Sequence, residues 1–269
     1  ALARWKERAA VARKQGKRPP RRPRLQVKPT TDRNYPSNLF NGMINPLIPY
    51  AIRGAIWYQG ERNARTPDSA KRYAHQLPLL IQDWRKRWNQ GDFPFFWAQL
   101  PNFKARSDDP GQTTAWALMR ESMAKALEVK NSGMAITVDV GEAKDIHPKN
   151  KQDVGKRLAL QALAKVYNKD VIASGPLYES HSIDGSKVVV SFKYAKELKV
   201  RGDTLRGFAI QDQKGRWHWA KAKVDGDKVT VWSSEVESPK AVRYAFGDNP
   251  EATLINEAGL PAGPFRTDR

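Results

Sequence analysis

Between residues 55 and 166 the chain alternates short apolar runs with longer stretches of helical periodicity, and this alternation narrows the fold more than any other feature. Ala55-Ile-Trp-Tyr58 is one apolar run, bounded by Gly54 and Gly60; Phe93 to Leu100 is a second and Met134-Ala-Ile-Thr-Val138 a third. Runs of this length suit buried strands. Within 68–88, Tyr73, Leu77, Leu80, Ile81, Trp84 and Trp88 recur at helical spacing, with Pro78 marking a kink or a fresh start. Residues 114–129 read as a second helix. Val154, Leu158, Ala162 and Val166 recur every four residues and make a third. Buried strands alternating with helices predict an α/β fold, a parallel sheet covered on both faces.

Beyond Ser174 the period changes. Lys187–Phe192, Leu205–Gln211, Trp217–Val224, Lys228–Trp232 and Ala241–Phe246 are short runs with period-2 character. Turn signals separate them, such as Asp184-Gly185, Lys214-Gly215 and Asp225-Gly226. Strands at this spacing predict a smaller antiparallel β-rich domain of sandwich or barrel type. The expected organisation is therefore a basic Pro-rich linker or helix over 1–33, an α/β part over 34–173, and a β-sandwich-like domain over 174–269. The chain has nine Trp, eight Tyr and nine Phe in 269 residues, enough apolar bulk for sizeable cores. No run of 18 apolar residues exists, so no transmembrane helix is expected. With no cysteine, disulfides, thiolate metal sites and a thiol nucleophile are excluded.

The net charge of +19 invites a nucleic-acid reading. Its distribution argues otherwise. Eleven Lys and Arg and a single acid, Glu7, fall within residues 1–30, so about half the excess belongs to the first thirty residues. Residues 1–18 read as a short polar helix with Trp5, Ala9 and Ala12 along one side. The segment Arg18-Pro-Pro-Arg-Arg-Pro-Arg24 cannot continue it, because each Pro fixes φ and removes a donor; it reads as an extended connector. No aromatic residues are interleaved for base stacking, so a solvated linker is favoured over nucleic-acid contact. The opening also lacks an apolar signal-peptide core.

Two short segments carry candidate chemistry. Trp57-Tyr-Gln-Gly-Glu-Arg-Asn63 directly follows one expected strand, and Asp145-Ile-His-Pro148 lies in a loop between another strand and a helix. In open α/β sheets ligands bind outside the carboxyl ends of strands, which is where both segments fall. An imidazole beside a carboxylate is the machinery of a general base: the acid orients the ring and stabilises the imidazolium that forms. His147 with Asp145 has that composition, and Gln59, Glu61 and Asn63 supply further polar groups. Taken alone, Asp-x-His also describes an ordinary loop histidine bonded to a neighbouring acid. Histidines and acids show no metal-ligand spacing, and no glycine-rich phosphate loop is present, so neither metal nor cofactor is expected.

Several separated strings carry a resemblance. They are Pro36-Ser-Asn-Leu-Phe-Asn-Gly-Met-Ile44, Gly54-Ala-Ile-Trp-Tyr-Gln-Gly-Glu61, Phe93-Pro-Phe-Phe-Trp-Ala-Gln-Leu-Pro-Asn102 and Asp145-Ile-His-Pro-Lys-Asn-Lys151, then Gly155-Lys-Arg-Leu-Ala-Leu160 and the closing Gly259-Leu-Pro-Ala-Gly-Pro-Phe-Arg-Thr-Asp268. With these the chain from about residue 35 onward resembles the sialate O-acetylesterase family within the SGNH hydrolase superfamily. The resemblance implies an incomplete SGNH-type, flavodoxin-like parallel sheet. It also implies a serine esterase that removes acetyl groups from sugars or polysaccharides through an acyl-enzyme, in an exported protein.

His147 matches the family's base and Asp145 the acid beside it, while Gln59, Gly60 and Glu61 match its Gln-Gly-Glu block, with Gln59 as a possible oxyanion donor and Asn63 close by. The usual superfamily acid lies three residues before the His, a position held here by Lys144. Either Asp145 or Glu61 is therefore left to orient the ring. Arg62 stands where a small residue is usual. The family's Gly-x-Ser block does not occur in these residues. The expectation is a C-terminal part of a longer polypeptide, inactive alone because an activated Ser needs its base and oxyanion donors together.

Two other readings compete with this one. The β-rich part with its Trp residues describes a non-catalytic carbohydrate-binding module, and residues 1–33 describe a nucleic-acid-binding tail. For Trp217 and Trp219, core packing is expected over a sugar platform. His75 is read as a surface residue of its helix, and His181 as a hydrogen-bonding residue at the junction near 174. Oligomeric state is left open.

Overall fold

The structure is a computed structural model, and it describes residues 2–22, 32 and 35–268. It falls into two units, Ala1–Ala51 and Ile52–Arg269. In the first, α1 (Leu2–Lys14) is the expected polar helix, with only Ala9 buried. Residues 17–22 leave it without regular structure, and they do not stand free of it: the Trp5 indole donates to the Pro20 carbonyl at 2.7 Å and the Arg22 guanidinium lies 5.8 Å over the same ring. The rest of the connector lies outside the described residues. Further along this unit are a π-helical turn at Phe40–Ile44 and a 3₁₀ turn at Asn45–Leu47.

The second unit opens with β1 (Ala55–Trp57), α2 (Pro67–Trp88), β2 (Phe95–Ala98), α3 (Ala115–Lys125), β3 (Ser132–Ala135) and α4 (Lys151–Lys165). The three strands form one parallel sheet in the order β1-β2-β3. Every residue of β2 and β3 is buried. On one face Phe96, Ala98 and Ala135 pack with Val154 and Leu158 of α4. On the other, Trp84 of α2 stands edge-on to Phe95 at 5.8 Å and to Trp57 at 6.0 Å. The α/β class and the cover on both faces are as expected. Two details differ. The first strand is an edge strand rather than a buried one, with Ile56 at 69% exposure. The third begins at Ser132 and ends at Ala135, because pairing with β2 stops there and Ile136 to Val138 leave the sheet.

Pro78 neither breaks nor restarts α2, which runs as one helix of 22 residues. Its ends are strongly specified. Thr66 and Ser69 form a reciprocal capping box, Pro67 sits in the first turn, and Asn89 closes the helix in the left-handed conformation. Tyr73, Leu77, Ile81, Arg85 and Trp88 bury one stripe along its length.

The remainder is antiparallel: β4 (Leu177–Asp184), β5 (Lys187–Lys193), β6 (Lys199–Val200), β7 (Phe208–Gln211), β8 (Trp217–Trp219), β9 (Lys221–Asp225), β10 (Lys228–Trp232), β11 (Ala241–Tyr244), β12 (Leu254–Ile255) and β13 (Phe265–Arg266). Two four-stranded sheets, β4-β5-β10-β9 and β13-β11-β7-β8, share one core, to which Val188, Val190, Val229 and Val231 of the first contribute with Phe208, Ile210, Val242 and Tyr244 of the second. The antiparallel β-rich class is as expected, and of the two expected types the sheets form a sandwich rather than a barrel. The run Trp217–Val224 is two strands rather than one, since Ala220 passes the chain from one sheet to the other. The sequence pattern missed β4, whose residues from Glu179 to Asp184 are exposed and all polar but Ile183. It also missed the two-residue pieces β6, β12 and β13.

Candidate functional site

All three parallel strands point their carboxyl ends at the same edge, so the segments after Trp57, Ala98 and Ala135 meet there. After β1 the chain turns through Tyr58-Gln59-Gly60-Glu61. A relay of side chains fixes this corner. Trp57 Nε1 donates to Tyr73 Oη at 3.1 Å, Tyr73 Oη donates to Gln59 Oε1 at 3.0 Å, Gln59 Nε2 donates to Asn63 Oδ1 at 3.0 Å, and Asn63 Nδ2 donates to Gln76 Oε1 at 3.1 Å. The Glu61 carboxylate accepts the Gly60 N–H at 2.9 Å. Gly60 is buried, and a Cβ there would stand 2.6 Å from the terminal methyl of Met119. Burial, with the nearby Glu61 charge adding to it, pushes the Tyr58 phenol up to about 12. Burial does the same to Tyr73, also about 12, against the opposing hydrogen bond from Trp57 and with a smaller contribution from Glu61. Both phenols remain donors throughout the neutral range.

After β3 the chain carries the second segment. Its start is anchored to the loop after β2: the Gly141 N–H donates to Asn102 Oδ1 at 2.6 Å, and Glu142 bridges to Phe103. Its end is anchored by the N-cap of α4, where Asn150 Oδ1 accepts the Asp153 N–H at 3.0 Å. Between these anchors Asp145 Oδ1 accepts the backbone N–H of His147 at 2.9 Å and lies 3.4 Å from the ring Nδ1. That backbone bond, helped by the charges of His147 and Lys149, holds the Asp145 carboxyl below the usual carboxylate range. The imidazole is 82% exposed. With Asp145 on the Nδ1 side, Nε2 is the nitrogen left for a proton arriving from outside.

The two segments approach each other at one described contact. The Lys151 ammonium, four residues after His147, lies 4.8 Å over the ring of Tyr58, the residue before Gln59. Tyr58 in turn packs on the α4 side of the sheet. Asp145 and His147 are brought together; Gln59, Gly60, Glu61 and Asn63 are brought together; no hydrogen bond joins the two sets among the described residues. Of the two candidate carboxylates, Asp145 is the one in reach of the ring, while Glu61 is engaged by Gly60. Sequence reasoning missed Tyr73 and Gln76, which back the corner from α2, and read Tyr73 only as a packing residue. It also missed Asn102 as a tie between two of the loops, although Asn102 falls within one of the matching strings.

Among known proteins, residues 33–164 match the family model described as carbohydrate esterase, sialic acid-specific acetylesterase. Sialate O-acetylesterases of Pongo abelii and Homo sapiens are each 29% identical to the chain over 254 residues, a match covering 85% of this chain and 48% of theirs. The chain thus spans about half the length of the curated relatives it matches. A crystal structure of a carbohydrate acetylesterase from Xanthomonas citri superposes with a TM-score of 0.81 at 45% identity, covering 86% of this chain and 54% of that one.

Proposed function

We propose, for a chain that belongs to the sialate O-acetylesterase family, that it supplies the proton-accepting half of a site that hydrolyses acetyl esters on sugars or polysaccharides. One observation carries the reading: His147 stands open to solvent with Asp145 on its Nδ1 side, in the loop at the carboxyl edge of the parallel sheet. In this scheme His147 Nε2 takes the proton of a serine hydroxyl as its oxygen bonds to the acetyl carbonyl carbon. It then returns the proton to the sugar oxygen as that ester bond breaks. Water repeats the sequence on the acyl-enzyme and releases acetate. Asp145 keeps the ring in its tautomer and stabilises the imidazolium. In this reading Gln59, whose Oε1 accepts from Tyr73, serves as an amide donor for the oxyanion, while Glu61 accepts the Gly60 N–H beside it.

The hydroxyl nucleophile comes from a Gly-x-Ser block, which these 269 residues do not contain. The chain alone is therefore expected to leave acetyl esters intact. An exported location goes with a polysaccharide substrate; among the described residues no helix is long and apolar enough to cross a membrane.

The test is hydrolysis of 4-nitrophenyl acetate and of an O-acetylated oligosaccharide, by the chain alone and by the chain joined to a relative's Gly-x-Ser segment. Activity is expected only in the joined form, with His147→Ala lowering kcat/KM by about a thousandfold or more and Asp145→Asn by less. A joined form whose rate is untouched by His147→Ala would overturn the assignment.

A further inference from the structure

The loop after β2 and the sandwich enclose a cavity of about 780 Å³, within the usual size of ligand pockets. One wall is residues 106–112, the other the chain around 204–209, 219–222 and 245–251. Named contacts frame it. Trp219 Nε1 donates to the Asp108 carbonyl at 2.9 Å, Arg243 donates to the Gly111 carbonyl at 3.1 Å, and Arg106 pairs with Glu251 at 2.6 Å. The cavity belongs to neither segment of the candidate site described above.

Its chemistry is specific. Trp217 is half-buried outside the sandwich core, its ring 4.1 Å from the Arg243 guanidinium and against Gly111. The core-packing expectation fails for Trp219, which lines the cavity at 51% exposure while its N–H is fixed to the loop. An aromatic face is thus presented in a fixed orientation without being packed. Four cationic and four acidic side chains line the walls, so the cavity carries no net charge in a chain of net +19. Arg106 and Arg206 share Glu251, and Arg243 is bound to Asp268. The Asp108 carboxylate and the Lys221 ammonium make no hydrogen bond or ion pair among the described residues. The wall therefore offers an apolar ring face with the unpaired Asp108 carboxylate and the unpaired Lys221 ammonium, and with the charges balanced. A pyranose has the matching surface, an apolar C–H face rimmed by hydroxyls that both donate and accept.

We propose that this cavity is a subsite for neutral pyranose units of a saccharide chain, with Trp219 as the stacking face and Asp108 and Lys221 as hydroxyl partners. The inference rests on the esterase reading for its class of ligand and extends it. The loop that forms one wall continues from Asn102, which anchors the start of the Asp145–His147 loop. The cavity wall and the start of the Asp145–His147 loop are thus tied to the same stretch of chain after β2.

The test is calorimetric titration of the whole chain with xylohexaose and cellohexaose, both unacetylated, and with N-acetylneuraminic acid as the anionic comparison. At least one neutral hexaose is expected to bind more tightly than N-acetylneuraminic acid. Trp219→Ala should weaken that binding about tenfold or more, Trp219→Phe should retain most of it, and His147→Ala should leave it unchanged. Asp108→Ala, whose carboxylate supports nothing in the fold, should also weaken it and serves if Trp219→Ala fails to fold. Absence of binding to both hexaoses, an affinity indifferent to Trp219 and Asp108, or a preference for N-acetylneuraminic acid overturns the proposal. Failure of the esterase reading shows separately, as hydrolysis that does not depend on His147 while hexaose binding persists.

Discussion

Arg120 shows how much single side chains do in holding the loops of this protein. It is fully buried on α3, and it donates to the Pro101 carbonyl at 3.1 Å and to the Gly247 and Asp248 carbonyls. Burial pulls its guanidinium down to about 10, with the Asp248 charge opposing. One planar cation thus satisfies carbonyls from the loop after β2 and from the strand exit of the sandwich. Arg120→Met should cost about 2–4 kcal/mol in denaturant unfolding, because the carbonyls lose their donor without reaching water. Arg120→Lys should recover little, since an ammonium lacks the fork; a variant within about 0.5 kcal/mol of the parent would contradict this account. His147 is the opposite case, an exposed ring whose partner is two residues away in sequence. That is why the Asp145–His147 pair was legible in the sequence and the reach of Arg120 was not.

At the scale of elements, the segments around the site are set by close approach. Gly141 begins the His147 loop, and a Cβ on it would fall 1.8 Å from the Asn102 carbonyl oxygen, which is backbone and cannot swing aside. Gly141→Ala should therefore separate the loops after β2 and β3. The expected loss is about 1–3 kcal/mol of stability, with faster amide exchange of the Gly141 N–H, whose bond to Asn102 Oδ1 would open. Unchanged exchange there would mean that the loops meet in some other way. Helix α2 was readable because its apolar stripe and its caps agree. Pro78 stayed ambiguous, since only the packed stripe on both sides of it decides for one continuous helix. Strand β4 carried no readable period because only its start, with Tyr178 stacked on Phe265 at 4.6 Å, meets the core, and pairing with β5 holds the exposed remainder in place.

For the second unit as a whole, Asp139 joins the layers on either side of residue 174. It leaves the sheet after β3, pairs with Arg157 of α4 through 2.5 and 2.9 Å bonds, and with Arg201 beyond β6 at 2.7 Å. Burial alone would raise its pKa, but the hydrogen bonds and charges of the two arginines outweigh it and hold it below the ordinary 3.8. As pH falls, the unfolded chain takes up this proton before the folded one. The stabilisation is therefore intact above 3.8 and is lost as pH drops through the lower folded value. Asp139→Asn should lower the melting temperature at neutral pH, leaving Arg157 buried without its charge partner, and should flatten the acid end of the stability profile. An acid profile identical to the parent's would assign the transition to other carboxylates.

The sequence by itself determined the elements whose signal is local: the parallel βα units from their apolar runs and helical stripes, the sandwich from its period-2 runs and turns, and the two polar segments from their positions after strands. Only the tertiary structure decided that β1 is an open edge, that Tyr73 and Gln76 stand behind Gln59, that Asp145 rather than Glu61 lies within reach of the imidazole, and that Trp219 lines a cavity instead of a core. Periodicity records which face of an element avoids water. It carries no information about which distant face is packed against it, and each of these four outcomes depends on that pairing.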